Sequence, residues 1–529
     1  MKKYLLLFSL AGALGLLPGC QSFLDVNNNP NNPSTTTPNY LLPNIISDGI
    51  QTQMFTALRT PYLTQYVVSR TANSGGNDQY ILTNAQSTNT FNYSYFQSGG
   101  NIPPMIAAAK AEGSPYYVGA GEIMQALILA HATDMLGDVP YTEAYQGGSN
   151  YTPKYDAQQQ LYATINQLCL DGIAQMQQPS SAEFRPLYST SPSESGDILY
   201  KGDQTKWVRL AYALMARQAQ HLTKKGNYDP AAVLALCDKA FTSSADDAQL
   251  NYQVAVAPLA NTTNIFGVTR SNFGTAVFSS NVVKYLNGTT FAGVTDPRFG
   301  ILVPTTSLGV DPGVGTTTTA NYAPGYFPPA NPAYTDFYAS WYARDLGYFE
   351  VITYHELKFI EAEAAFRAGN TSRALTALRT AIAAHMAKVG QGGTNALPAV
   401  TFPTISTTQI NAYLASAAVP QTAGAVTLRS IMEQKYLGMF LNPDSWSDLR
   451  RLDFDPSIYV NFAFPVGNGV NPAALAATDP KLRFPRRLAP GATEVLYNPA
   501  NVAKLYTDAG VANGSLNDYV LKPLWFDMP

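Results

Sequence analysis

Two polar stretches of the chain mix aromatic side chains with amides, the combination most suited to binding chemistry. The first stretch carries Phe91, Tyr93, Tyr95 and Phe96 among Asn and Ser residues. A sugar ring has an apolar C–H face and a rim of hydroxyls, so a carbohydrate site needs flat aromatic faces beside amide donors and acceptors. We therefore predict ligand contacts in the first stretch at Asn92, Tyr93, Tyr95 and Phe96.

The second stretch is richer in aromatic residues. Nine of them lie between Tyr322 and Tyr348, interleaved with Pro and Asn and without a helical period. For each ring the sequence leaves two interpretations open, packing in the core or stacking on a ligand. For the group we predict ligand contacts at Tyr338, Trp341, Tyr342 and Arg344.

Signatures of catalysis are nearly absent. The chain has no G-x-S-x-G, no G-x-x-x-x-G-K-[ST] and no C-x-x-C motif. His131 and Asp134 have a helical i, i+3 spacing, but no second His or Cys follows at a sequence spacing that would complete a metal site. We predict a protein that is not an enzyme and has no metal or cofactor. A glycosidase needs only two carboxylates that folding brings together, so a surface glycan hydrolase remains an alternative.

Charged motifs have structural and functional interpretations. The segment HELKFIEAE, which starts at His355, lacks the second His of a zinc-protease helix, and its glutamates Glu356, Glu361 and Glu363 are predicted to form a solvated face. The pairs Arg450–Arg451 and Arg486–Arg487 suit either bidentate recognition of a ligand carboxylate or internal salt bridges, and the second interpretation is favoured.

Composition excludes several classes of protein. The chain has 529 residues and a formal net charge of −3, which gives no electrostatic basis for binding nucleic acid. Charged residues make up 13%, roughly half of the ~25% typical of soluble domains. The aromatic content of 12% excludes a disordered chain.

The N-terminus is predicted to be an export signal. Lys2 and Lys3 precede an apolar run that ends at Leu17 and is too short to cross a bilayer as a helix. The next residues, ending in Cys20, fit a bacterial lipobox, which predicts a lipoprotein signal peptide over 1–19 and lipidation of Cys20. An ordinary signal peptide with a chance Cys is the alternative. The Asn-rich residues 20–38 are predicted to be a flexible tether.

Helical hairpins are predicted for much of the remaining chain, 39–529, which we expect to be a single domain. Ala362, Ala374 and Ala381 have the spacing of the tetratricopeptide repeat, in which small residues let antiparallel helices approach closely. Such a repeat buries its apolar face only against its neighbours, so the predicted fold class is mostly α, with a solenoid core of tetratricopeptide-like hairpins. The hairpins are expected at about 116–176, 207–243, 353–389 and 427–441.

Four segments lack a sustained helical period and are predicted to form a loop-rich second subdomain against that core. Structureless insertions of such length are rare in compact proteins, so these segments must pack on the hairpins. The loop-rich segments are 73–105, 244–352, 390–426 and 442–529.

Cys169 and Cys237 lie in helical patterns, where two separate buried thiols are favoured over a disulfide.

Several blocks of the sequence together resemble the SusD/RagB family of surface lipoproteins, in particular its SusD-like branch with an Asn-rich start. They occur in the family's order along nearly the whole mature chain. The blocks are FLDVNNNPNNP at 23–33, TDMLGDVPYTEA at 133–144, YHELKFIEAEAAFRAG at 354–369, EQKYLGMFLNPDSWSDLRRLDF at 433–454, RFPRRLAPGATEVLYNPANV at 483–502 and LKPLWFD at 521–527.

This resemblance implies a function. It implies a lipid-anchored protein on the cell surface of the outer membrane, which captures an oligosaccharide or peptide and delivers it to a SusC-like TonB-dependent transporter. It also implies that ligand is bound near the two aromatic stretches. A peptide-binding member of the same family, a scaffold whose partner is the transporter alone, and a hydrolase are the alternatives.

Overall fold

The computed structural model describes residues 36–71, 76–191, 194, 196–253, 263–315, 337–396 and 399–529. The predicted signal peptide, Cys20 and most of the predicted tether lie outside the described residues, as does the part of the second aromatic stretch that precedes Phe337. Internal contacts group Pro38–Pro529 as one compact unit. Within the described residues, no helix combines the length and the apolar character needed to cross a membrane.

Helices dominate this unit, and its strands are short. In the described part of the chain the strands form two-stranded antiparallel sheets that pair β1 (Val67–Ser69) with β3 (Ala276–Phe278), β2 (Ala248–Asn251) with β4 (Tyr348–Ile352), and β5 (Gln391–Asn395) with β6 (Val400–Thr404). The helices are α1 (Pro38–Thr56), α2 (Thr60–Leu63), α3 (Asn84–Asn92), α4 (Ile102–Ala111), α5 (Pro115–Leu136), α6 (Gln158–Met176), α7 (Gln204–His221), α8 (Pro230–Cys237), α9 (Ser280–Leu286), α10 (Tyr354–Arg367), α11 (Thr371–Val389), α12 (Thr407–Leu414), α13 (Leu428–Gly438), α14 (Asp444–Arg451), α15 (Pro472–Ala476), α16 (Ala492–Tyr497), α17 (Pro499–Asp508) and α18 (Leu516–Tyr519).

The helical hairpins stack in chain order. Helix α5 packs on α6, α6 on α7, α7 on α8, α8 on α10, and α10 on α11 and α13. Each hairpin thus buries its apolar face against the next one, as a repeat architecture requires. The predicted fold class, a mostly helical protein with a tetratricopeptide-like core, is confirmed.

The turn between α10 and α11 shows why the chain reverses at this position. Gly369 has a φ of +75°, a left-handed conformation that favours glycine and ends α10. The next residue, Asn370, accepts a hydrogen bond from the backbone N–H of Arg373 over 3.1 Å and thereby begins α11. Two adjacent residues therefore end one helix and begin the next, which keeps the two helices antiparallel and close.

The predicted close-contact alanines lie inside this hairpin. Ala362, Ala374 and Ala381 are each 0% exposed. Replacing Ala374 with leucine is expected to overpack the α10–α11 interface and to lower the free energy of unfolding by about 1–3 kcal/mol, measured by chemical denaturation. Ala387 on the same helix is exposed, so Ala387→Leu is the matched control and should be nearly neutral. Equal effects of the two substitutions would contradict the assignment of this interface.

The segments predicted to be loop-rich contain several short helices. Helices α3 and α4 lie in or next to 73–105, α9 in 244–352, α12 in 390–426, and α14 to α18 in 442–529. These helices have few turns, so their apolar residues do not repeat often enough to show a 3.6-residue period. Their ends are set by caps such as Ser406, whose hydroxyl accepts from the N–H of Gln409.

The prediction that the glutamates of HELKFIEAE form a solvated face is wrong. Glu356 and Glu363 are 0% exposed, and Glu361 is 8% exposed. Helix α10 packs on α7, α8, α11 and α13, which leaves it no solvent-facing side at these positions. The buried carboxylates are paired instead, because Arg217 donates to Glu356 over 2.6 Å and Arg451 donates to Glu363 over 2.7 Å.

The side chains of both arginine pairs also bind partners within the protein. Arg451 bonds Glu363 and Asp448, and Arg486 forms ion pairs with Asp453 at 2.9 Å and Asp527 at 3.1 Å. Arg450 and Arg487 donate to backbone carbonyl groups. These arginines therefore connect α14 and the C-terminal segment to the helical core.

Cys169 and Cys237 are buried free thiols, as the sequence favoured.

Candidate functional site

The first aromatic stretch forms one wall of a surface groove. Helix α3 begins with a capping box in which the N–H of Thr83 donates to the Gln86 side chain. The helix continues into a π-helical turn over Tyr93–Gln97, whose wider turn changes the direction of the side chains that follow α3. A Cβ on Gly99 would collide with the carbonyl oxygen of Ser94, so this tight return of the backbone requires glycine.

Tyr95 is the fixed centre of that wall. Its ring stacks between Phe91, at a centroid distance of 4.4 Å, and Tyr145, at 5.7 Å. Its hydroxyl donates to the carbonyl oxygen of Pro140 over 2.7 Å, and burial raises the pKa of Tyr95 well above its ordinary value. The ring is thus held by contacts on both faces and at its tip, while Phe96 beside it is 61% exposed.

The other side of the groove comes from the loop after α5 and from α16. Tyr151 and Tyr497 are 78% and 66% exposed, the largest aromatic surfaces near the groove. Glu494 is fixed below them by the hydroxyl of Tyr155, which donates over 2.6 Å, and by the amide of Asn498 over 3.1 Å. Burial raises the pKa of Glu494, against the lowering effect of these two hydrogen bonds.

The groove has a volume of about 680 Å³. Its lining combines aromatic rings with amide side chains and backbone groups. Of the described residues that line it, none carries a positive charge and Glu494 is the single carboxylate. The lining comprises Phe91, Tyr95, Phe96, Gly100, Asn101, Pro140, Ala144, Tyr145, Gln146, Gly147, Asn150, Tyr151, Pro153, Thr493, Glu494 and Tyr497.

Two of the four residues predicted in the first stretch line the groove, namely Tyr95 and Phe96. The other two lie beside it. The Asn92 side chain accepts a hydrogen bond from the hydroxyl of Thr493 over 2.9 Å, which ties α3 to α16. Tyr93 packs its ring against Phe55 at a centroid distance of 5.0 Å. Both therefore support the wall from outside the groove.

Of the four residues predicted in the second stretch, Tyr338, Trp341 and Tyr342 lie in the core, whereas Arg344 is half-buried. Tyr338, Trp341 and Tyr342 are 3%, 2% and 7% exposed, so they have no face open to a ligand. The guanidinium of Arg344 lies 3.3 Å from the centroid of the Trp341 ring and donates to the carbonyl oxygen of Trp341. The Tyr342 hydroxyl donates to Glu350 over 3.1 Å.

Sequence reasoning missed the groove residues Tyr145, Tyr151 and Tyr497. The segment from Tyr145 to Tyr151 reads YQGGSNY, which has the same mixture of aromatic, amide and glycine residues as the first stretch. That composition could have identified it. Tyr497 is followed by Asn498, but a single such pair is too common to point to a site.

His131 and Asp134 have different hydrogen-bond partners. The Nε2 atom of His131 lies 2.9 Å from the Thr56 hydroxyl, and burial lowers the pKa of His131 to about 4. Among the described residues, ligand atoms of Asp134, His221 and Asp444 lie within 4.8 Å of one another. Burial alone would lower the pKa of His221, but the two carboxylates raise it to about 9. His221 lies 3.4 Å from Asp134 and 3.2 Å from Asp444, so these three side chains are paired with one another in the interior.

The fold and the groove define a helical-repeat protein with an aromatic surface groove. The family model described as "Starch-binding associating with outer membrane" matches residues 30–468. The chain belongs to this SusD-like family. Among curated proteins, no sequence matches the chain.

Solved structures share the fold over nearly the whole chain. A SusD/RagB family protein from Bacteroides thetaiotaomicron is 22% identical, with 93% of this chain and 99% of that chain covered and a TM-score of 0.65. A chitin-binding SusD homolog from Flavobacterium johnsoniae is 18% identical, with 91% and 98% covered and a TM-score of 0.65. Another protein described as chitin-binding is 20% identical, with 93% and 100% covered and a TM-score of 0.68. At these identities the likeness establishes the fold alone.

Proposed function

We propose that the protein binds oligosaccharides at the cell surface through the groove between the π-helical turn and α16. The observation that carries this proposal is the groove itself, in which Phe96, Tyr151 and Tyr497 are each more than half exposed beside amide side chains. Exposed apolar rings that gather in one groove are typical of a ligand-binding surface. Family membership and the chitin-binding neighbours support a glycan ligand.

The charge of the groove favours a neutral glycan. No cation lines its described surface, and Glu494 would repel a carboxylate or sulfate group on the sugar. Asn101, Gln146 and Asn150 supply the amide groups that hydrogen-bond sugar hydroxyls. We therefore infer that neutral glycans, including N-acetylated ones, bind in preference to uronic acid or sulfated glycans.

The groove does not favour a hydrolase. Glycosidases use a pair of carboxyl groups, about 5–9.5 Å apart, on either side of the scissile bond. The described lining of the groove offers Glu494 alone, and that carboxylate is already held by Tyr155 and Asn498. We therefore propose a binding role without catalysis. A peptide ligand remains the alternative within the family, since peptides can stack on the same rings.

We further propose that the protein is lipid-anchored at Cys20 in the outer membrane and delivers its ligand to a SusC-like TonB-dependent transporter. Family membership supports both parts of this proposal. The lipobox that ends at Cys20 supports the anchor. Within the described residues no helix provides another way to cross a membrane.

Alanine substitutions at Tyr151 and Tyr497 test the groove. Each should weaken the binding of a neutral oligosaccharide about 2- to 12-fold, because an aromatic stacking contact contributes ~0.5–1.5 kcal/mol. Calorimetric titration with chitin and starch oligosaccharides measures this effect. Tyr40 is 58% exposed but does not line the groove, so Tyr40→Ala is the matched control. Equal affinity of all three variants and wild type would contradict the proposed site.

Replacing Cys20 with serine tests the anchor. The variant is expected to leave the membrane fraction, because a lipid on Cys20 is the proposed means of attachment. Its melting temperature should be unchanged after purification, since the compact unit begins at Pro38. The experiment belongs in cells without the transporter, where binding to a partner cannot retain the protein. Unchanged recovery of the variant with membranes would exclude lipidation at Cys20.

A further inference from the structure

A second cleft, of about 630 Å³, lies where the segment after α14 meets the segment before Arg486. Its wall consists of phenylalanine rings. Phe454 and Phe484 stack at a centroid distance of 4.5 Å, and Phe462 lies 5.5 Å from each of them. Phe464 extends the wall at 5.8 Å from Phe484. The cleft therefore presents a continuous apolar surface.

Cations collect at the edge of this wall. Lys224, Arg486 and Lys481 approach the carboxylate of Asp453 at 2.6, 2.9 and 3.6 Å. Arg486 is also paired with Asp527, over 3.1 Å. The other two carboxylates that line the cleft, Asp455 and Asp479, accept hydrogen bonds from the backbone N–H groups of Ser457 and Lys481. The Lys481 side chain is 62% exposed, which leaves its ammonium group free to turn toward a ligand.

Arg483 adds a further positive charge. Its guanidinium lies 3.7 Å from the centroid of the Phe464 ring, and its Nε donates to the carbonyl oxygen of Ala474. Among the described residues it forms no ion pair, and it lines the cleft. A guanidinium that is held on a ring and has no carboxylate partner can bind the carboxylate of a ligand.

The backbone of the cleft is held in a costly conformation. Asp453 and Phe454 have φ values of +56° and +51°, in the left-handed region. A Cβ is crowded in this conformation, which persists only where the surroundings enforce it. It directs the Asp453 carboxylate to the cations and the Phe454 ring to the wall.

The lining of this cleft differs from that of the aromatic groove in its polar groups. Its described residues include no amide side chain and no tyrosine, and most of its polar side chains are charged. Phenyl rings beside the exposed Lys481 and beside Arg483, which forms no ion pair among the described residues, complement a flat apolar group that carries a carboxylate. We propose that the cleft binds an amphiphilic organic acid, with Lys481 and Arg483 on the carboxylate and the phenylalanine wall on the apolar body. This site goes beyond the proposed glycan function and does not depend on it.

An NMR titration of the purified protein with phenylacetate and its neutral counterpart phenylacetamide tests this proposal. Phenylacetate should bind at least about tenfold more tightly, because charge-assisted hydrogen bonds are roughly twice as strong as neutral ones. Lys481→Gln and Arg483→Gln should each weaken phenylacetate binding about 3- to 10-fold and leave phenylacetamide binding unchanged. Lys504 is 68% exposed on α17, so Lys504→Gln is the control and should change neither affinity.

Several outcomes would overturn the proposal. They are the absence of phenylacetate binding, equal affinities for the acid and the amide, or full phenylacetate affinity in both cleft variants. Tighter binding of galacturonate than of phenylacetate would also overturn it, because that result would define an acidic-sugar site. The groove variant Tyr497→Ala should bind phenylacetate normally, so failure of this proposal is distinguishable from failure of the glycan proposal.

Discussion

Replacing Trp341 with alanine is expected to lower the free energy of unfolding by about 3–5 kcal/mol. The ring is 2% exposed and packs edge-on against Tyr342 and Tyr348, at centroid distances of 5.1 and 5.7 Å. The substitution would leave a cavity and remove the surface on which Arg344 lies. Chemical denaturation measures the change in free energy, and thermal melting should show a loss of several degrees.

The same variant should bind glycan normally at temperatures where it remains folded, because Trp341 does not line the groove. Tyr151→Ala should show the opposite pattern, with an unchanged melting temperature and weaker binding. A Trp341→Ala protein that melts like wild type but loses glycan affinity would contradict the core assignment. It would then restore the prediction made from the sequence for the second aromatic stretch.

Replacing Glu363 with glutamine is expected to cost a similar amount, about 3–5 kcal/mol, although the side chain keeps its shape. Glu363 is 0% exposed and accepts hydrogen bonds from Arg451 over 2.7 Å and from Arg367 over 2.8 Å. Without its charge, Arg451, Arg367 and Lys435 would have Asp448 as the one carboxylate left in this cluster. Chemical denaturation at neutral pH measures the loss.

The pH dependence of the stability difference between wild type and Glu363→Gln provides an internal check. Burial alone would raise the pKa of Glu363, but Arg451 holds it well below its ordinary value of 4.5. Its stabilising contribution is therefore present above pH 4.5 and is lost as the pH falls below that value. The difference in free energy of unfolding between wild type and Glu363→Gln should therefore become smaller in acid.

The exposed pair Lys504–Asp508 supplies the control, since Lys504→Gln should cost only ~0–1 kcal/mol. A similarly small cost for Glu363→Gln would show that the buried pair does not stabilise the fold.

Much of the helical core could be predicted from sequence because its signals are local. The apolar period, the small residues Ala362, Ala374 and Ala381, and the Gly369–Asn370 break all act within one hairpin. Burial of charged side chains is not local. Whether Glu363 faces water or Arg451 depends on α14, which follows it by about eighty residues along the chain.

The candidate site could be predicted only in part for the same reason. Two aromatic stretches have similar local compositions, but the rings around Trp341 pack on residues such as Phe273 and Phe440, which are distant in sequence. The groove joins Tyr95, Tyr151 and Tyr497, which come from three separate parts of the chain. A composition rule finds one wall of such a groove, and only the fold shows which other residues face it.

Hydrogen–deuterium exchange with and without a bound neutral oligosaccharide tests the central claim most directly, since it reports where the ligand protects the backbone. A glycan array first identifies the neutral oligosaccharide that binds best. We expect slower exchange in 93–101, 140–153 and 492–498, and unchanged exchange in the buried segment 337–344. Protection confined to 337–344 or to another surface, or an array on which no neutral glycan binds, would contradict the assignment of the aromatic groove as the glycan site.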